Sequence, residues 1–124
     1  MKSSLKTEIA RCMVGLETAE QSLVSRFLFP EGFLGFQGHF PGKSILPGIC
    51  YIQCALATVE RARERPVKLK EVTLAKYFAP VGSREEITCT CSGVAATGEF
   101  TMKAVITKGA AKVSELKLKV VLDA

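Results

Sequence analysis

The chain has no tryptophan and a single histidine, His39, so any chemistry that needs an imidazole has one candidate. Its few aromatic residues are nowhere interleaved with basic ones, which removes the stacking platform that holds single-stranded nucleic acid. Nucleic acid is therefore not an expected partner. Seventeen Lys and Arg against twelve Asp and Glu leave a net charge of +5, which favours an acidic partner by electrostatic steering without identifying it. The apolar runs are too short and too often interrupted to cross a bilayer, and no basic-then-apolar leader opens the chain. The expectation is a cytoplasmic protein with no membrane association. Cysteine is present but unsuited to a disulfide framework, because the count of five is odd. Cys50 and Cys54 share a helix face and Cys89 and Cys91 a strand face, yet zinc sites show tighter paired spacings. Cys12 and these four read as reduced core thiols, with no metal and no cofactor expected.

What the chain does have is a loop, Gly38-His39-Phe40-Pro41-Gly42-Lys43-Ser44-Ile45-Leu46-Pro47-Gly48, that sets this histidine among three glycines and two prolines. Proline stiffens such a loop and glycine lets backbone approach a ligand. The segment from Ile49 to Arg65 has no further Pro or Gly, so the loop leads directly onto a helix N-terminus. Ile49, Ile52, Leu56 and Val59 recur at spacings of three and four on a helix that is apolar almost all round. Arg61, Arg63 and Arg65 complement its C-terminal dipole and Pro66 stops it.

Before the loop, a short helical turn and a strand precede an alternating strand at Ser22 to Phe29. After the helix, Lys68 to Phe78, Glu86 to Ser92, Glu99 to Lys108 and Val113 to Leu122 alternate like strands joined by short turns, which implies antiparallel pairing. The 124 residues suit one domain, which buries roughly two thirds of its unfolded surface. The expected fold is α+β, a curved antiparallel sheet of five to six strands wrapped round one long central helix. One flat sheet face cannot cover a helix that is apolar on every side, so a homodimer closing the remainder is expected.

Gly38-His39-Phe40-Pro41-Gly42, then Ile45-Leu46-Pro47-Gly48 and the helix, resemble the signature of the β-hydroxyacyl-acyl carrier protein dehydratases, whose fold is the hot dog. Leu74 to Val81 resembles the family's strand and Pro-Val corner after the helix, and the likeness covers roughly residues 20 to 122. It implies a lyase of fatty acid or related lipid or polyketide synthesis acting on 3-hydroxyacyl thioesters. Acyl carrier protein is the implied partner, and a homodimer, with a trimer of dimers open to it, the implied assembly. The chemistry needs a base beside the carbonyl, stabilisation of charge on the thioester oxygen and a proton for the departing hydroxyl. His39 is the implied base and the Gly48 amide the implied oxyanion donor. The family's helix carboxylate, normally Glu, falls on Gln53, which has no proton to give at neutral pH but can hold a water or hydroxyl. Glu60 shares that face two turns onward, about 10 Å away, and is a poor substitute. Phe36, Phe40, Pro41, Pro47 and Tyr51 are candidates to line an acyl tunnel. Lys43, Arg61, Arg63 and Arg65 are candidates for a carrier protein or its pantetheine phosphate. Two other readings follow from Gln53: an acyl thioesterase of the hot-dog superfamily, and a non-catalytic acyl-thioester-binding partner subunit.

Overall fold

The computed structural model describes residues 4–36 and 45–122. Ser4 starts helix α1 (Leu5–Arg11) because its hydroxyl accepts the Thr7 N–H, 3.1 Å away, satisfying one of the donors that a helix start leaves unpaired. Strands β1 (Met13–Thr18) and β2 (Ser22–Leu28) follow, then a single 3-10 turn at Leu34–Phe36. Helix α2 spans Gly48–Arg63 and leads into β3 (Val67–Tyr77), β4 (Glu86–Ser92), β5 (Gly98–Lys108) and β6 (Ala111–Leu122). The six strands form one antiparallel sheet in the order β1-β2-β4-β5-β6-β3. Helix α2 is thus inserted between strands that lie far apart in the sheet, and β3 crosses to the far edge to pair with β6.

Period-two alternation places one row of each central strand inside. Leu23, Ser25 and Phe27 of β2, Ile87, Cys89 and Cys91 of β4, Met102, Ala104 and Ile106 of β5 and Leu116, Leu118 and Val120 of β6 are all buried. Against this face lies α2, with nine buried residues from Cys50 to Val59. The sequence predicts one long central helix and only a short helical turn at the N-terminus; that turn is the two-turn helix α1, which packs beside α2. The apolar circumference of α2 is therefore shared between the sheet and a second helix.

A buried hydroxyl pair joins helix to sheet. Ser25 Oγ and Thr58 Oγ1 lie 2.6 Å apart, and Thr58 donates in turn to the Cys54 carbonyl at 2.7 Å. The helix ends two residues before the expected Arg65. Pro66 disfavours helical geometry at the residue before it, and Glu64 turns into the left-handed region at φ 55° and ψ 38°. All five cysteines are free; Cys50, Cys54, Cys89 and Cys91 are buried and Cys12 partly so. Burial pushes the Cys50 thiol up to about 12 and the Cys54 thiol well above its usual value, so both stay protonated. No helix among the described residues is long and apolar enough to cross a membrane.

Candidate functional site at the start of the central helix

The start of α2 is fixed from outside the helix. Pro47, extended at φ −71° and ψ 154°, offers no side-chain cap. Leu46 N–H instead donates to the Val81 carbonyl at 2.8 Å, and Ile45 bridges Gly82. That second loop is itself pinned: Glu85 accepts the Gly82 N–H at 2.7 Å and the Lys108 ammonium at 3.1 Å. Those two bonds hold the Glu85 carboxyl below its usual pKa, the Gly82 N–H contributing most. Glu85 and Lys108 therefore set where Gly48 sits, through the backbone of residues 80–82.

Gly48 opens α2 with its N–H bonded to no described residue, as expected for a first-turn amide carrying the positive end of the helix dipole. It faces a cavity of about 360 Å³ lined by Leu46, Gly48, Tyr51, Tyr77, Phe78, Ala79 and Pro80. Tyr77 comes from the last position of β3. Cross-strand pairing places it opposite Ser114, which lies opposite Ile106, then Cys89, then Ser25. Directly opposed residues share a sheet face, so Tyr77 points to the helix side although it is half-exposed at the edge. Its ring lies 6.0 Å from that of Tyr51, centroid to centroid, tilted by 34°.

Of the predicted site residues, Gly48 and Tyr51 meet on this cavity, and Pro47 immediately precedes it. His39, Phe40, Pro41 and Lys43 lie outside the described residues. Phe36 is buried away from the cavity lining, edge-on to Phe33 in an aromatic chain that continues to Phe29 and Phe27. Gln53 is partly exposed on α2 and bonds to no described residue. The helix face it occupies is open, with Ile49 half-exposed one turn earlier. Glu60 is engaged: its Oε2 accepts Val67 N–H at 2.8 Å and pairs with Lys6 at 3.1 Å.

Arg61, Arg63 and Arg65 lie at or beyond the other end of α2, about 20 Å along the axis from Gly48. Arg61 donates to the Ala10 carbonyl at 3.2 Å, Arg63 to Ala95 at 3.2 Å and Glu20 at 3.5 Å, and Arg65 to Ala96. They tie the helix end to α1 and to two turns. Leu46, Tyr77, Phe78, Ala79 and Pro80 are the cavity residues that sequence reasoning missed. The signal available was the position of Tyr77 three residues before the Pro80-Val81 corner, where the strand ends beside the helix start.

Residues 16–116, more than half of the chain, match the model of the ApeI-like family, described as ApeI dehydratase. Comparison with curated proteins finds no match. Among solved structures, the dehydratase heterocomplex ApeI:P from Xenorhabdus doucetiae is similar, with a TM-score of 0.74 at 14% identity over 88% of this chain and 96% of that one. Cj0977, a sigma28-regulated virulence protein from Campylobacter jejuni, gives 0.68 at 10% identity over 95% and 87%. The uncharacterized protein PH1136 from Pyrococcus horikoshii gives 0.66 at 12% over 89% and 80%. At these identities the structural likeness speaks for the fold, while the family match spans α2, Gly48, Gln53 and the strand carrying Tyr77. The chain belongs to the ApeI-like dehydratases, a family of hot-dog dehydratases.

Proposed function

We propose that the chain is a 3-hydroxyacyl thioester dehydratase subunit whose reacting carbonyl binds at the Gly48 amide. The observation that carries this reading is an N–H with no partner among the described residues, on a glycine that starts α2 and lines an apolar cavity, in a member of a dehydratase family. His39 removes the proton beside the thioester carbonyl. The electron pair moves toward the carbonyl oxygen, where the Gly48 N–H stabilises it, and then forms the new double bond as the 3-hydroxyl leaves as water. Gln53 holds that hydroxyl by hydrogen bonding but cannot protonate it. The proton therefore returns from the His39 imidazolium or comes from a second subunit.

A second subunit suits this chain for a specific reason. The α2 face around Ile49 and Gln53 is open, and the nearest carboxylate on that face, Glu60, is already bonded to Val67 and Lys6. The Xenorhabdus doucetiae relative is described as a heterocomplex, and an equivalent partner, or a second copy of this chain, would cover this face and supply the acid. Substrates carried on an acyl carrier protein fit the net positive charge of the chain.

The test is turnover of a short 3-hydroxyacyl thioester, on carrier protein and on coenzyme A, followed by enoyl absorbance in both directions. Conversion that His39→Ala abolishes supports the reading. Absence of conversion in either direction on both carriers, with the chain alone and with a co-expressed partner subunit, overturns it. A parallel thiol assay separates hydrolysis from dehydration.

A further inference from the structure

The chain contains two tyrosines and no tryptophan, and both tyrosines line the cavity at Gly48. Tyr51 follows Gly48 by three residues, one helical turn, and so lies over it on the same side of α2. Tyr77 arrives independently, from the end of β3. Neither placement depends on the other, yet the two hydroxyls share one apolar space.

Tyr51 is only 3% exposed, and its hydroxyl bonds to no described residue. Among the described residues no fully enclosed side-chain oxygen or nitrogen lacks a partner, so this hydroxyl opens onto the cavity instead of being sealed in protein. The remaining lining, Leu46, Phe78, Ala79 and Pro80, offers it no polar side chain. Solvent in the open cavity satisfies this phenol, but an acyl ligand that displaces the solvent without offering an oxygen leaves it unsatisfied, at a cost of about 1–3 kcal/mol. Tyr77 is half-exposed, and its hydroxyl lies 2.9 Å from the position a Cβ on Gly48 would take. Three donors with no partner among the described residues, the Gly48 N–H and two phenols, therefore belong to residues that line one apolar cavity. Burial raises the pKa of both phenols, so at neutral pH each is protonated and available as a donor.

We infer that Tyr51 and Tyr77 are ligand-binding residues that donate hydrogen bonds to the oxygen atoms of an acyl ligand whose carbonyl sits at the Gly48 amide. The class of ligand, an acyl thioester, rests on the function proposed above; the donor pair adds selectivity for acyl chains that carry oxygen near the carbonyl. A plain alkyl chain of the same length leaves a phenol unpaired and binds less tightly. Each lost hydrogen bond of this kind weakens binding about three- to tenfold.

With no tryptophan to mask them, the tyrosines report on this cavity alone. The experiment titrates the purified full chain with a 3-hydroxyacyl pantetheine thioester and with the saturated thioester of equal length, following tyrosine fluorescence. The expected result is a tyrosine response to both, with the 3-hydroxyacyl ligand bound about tenfold more tightly. Tyr77→Phe and Tyr51→Phe should each shrink that preference to about threefold or less, with circular dichroism unchanged. Equal affinity for the two thioesters, an undiminished preference in both Phe variants, or no tyrosine response to the 3-hydroxyacyl ligand overturns the inference. The two proposals fail separately. Selective binding without turnover sustains the donor pair and sinks the dehydratase, whereas turnover with wild-type selectivity in both variants does the reverse.

Discussion

A Cβ placed on Gly48 would lie 2.8 Å from Cζ of Tyr77, closer than real side chains approach one another. Glycine at position 48 is thus what lets the β3 tyrosine close over the start of α2. Gly48→Ala should force the Tyr77 ring outward and crowd the approach to the Gly48 N–H. A displacement on the order of 1 Å at a reacting carbonyl lowers turnover about a hundredfold. Steady-state dehydration kinetics, with thermal melting to show that the fold survives, would check this; near-normal kcat/KM would mean that the Tyr77 ring yields without obstructing the approach to the amide.

Gln53 occupies the place of the family's carboxylate and bonds to no described residue. Because the site is partly exposed, Gln53→Glu should change stability by less than about 0.5 kcal/mol. If a missing acid limits the reaction, the added carboxyl should raise dehydration by about tenfold or more, toward the range of general acid–base catalysis. An unchanged rate in the folded variant would place the proton source on His39 or on a partner.

Glu60 is expected to be structural. Glu60→Ala removes both the acceptor for Val67 N–H and the partner of Lys6 at the junction of α2 and β3. The variant should lose about 1–2 kcal/mol in urea unfolding, while Glu60→Gln, which keeps an acceptor oxygen, should lose less. Turnover by the folded fraction should stay at the wild-type level in both.

Thr58→Val tests the buried link between helix and sheet. The change keeps the shape but leaves Ser25 Oγ with only its long 3.4 Å contact to the Cys89 carbonyl. A loss of about 1–2 kcal/mol is expected by chemical denaturation. Mutating Ser25→Ala on that background should add little, because the two residues act as one unit.

Glu85 should make the site sensitive to acid. Its folded pKa is lowered by the Gly82 N–H and Lys108, so its contribution is present above the ordinary carboxylate range and is lost as pH falls through and below it. Glu85→Gln, which removes the charge but keeps an acceptor for Gly82, should flatten that part of the pH–stability curve. A curve of unchanged slope would mean that other carboxylates govern the acid limb.

Much of this was legible in the chain, for reasons that are local. Period-two runs such as Ile87, Cys89 and Cys91 declare their strands, and the segment after Gly48 declares its helix by its spacing and by the absence of Pro and Gly. The loop motif and the helix after it carried the resemblance to dehydratases, since a motif is a local pattern. The boundary at Arg63 was misjudged by two residues because the constraint came from Pro66 acting backward through Arg65.

What only the tertiary structure decided is which distant residues meet. Register through four successive strand pairs, from Ser25 to Tyr77, brings a tyrosine from the sheet edge to the start of α2, and no local pattern encodes that sum of pairings. The same holds for Glu85 and Lys108, which position Gly48 through a loop remote in sequence. Sequence by itself determined the elements, the likeness to a family and the amide at position 53. Packing decided that Gly48, Tyr51 and Tyr77 share a cavity, because hydrogen-bonded register acts over distances that sequence spacing does not see.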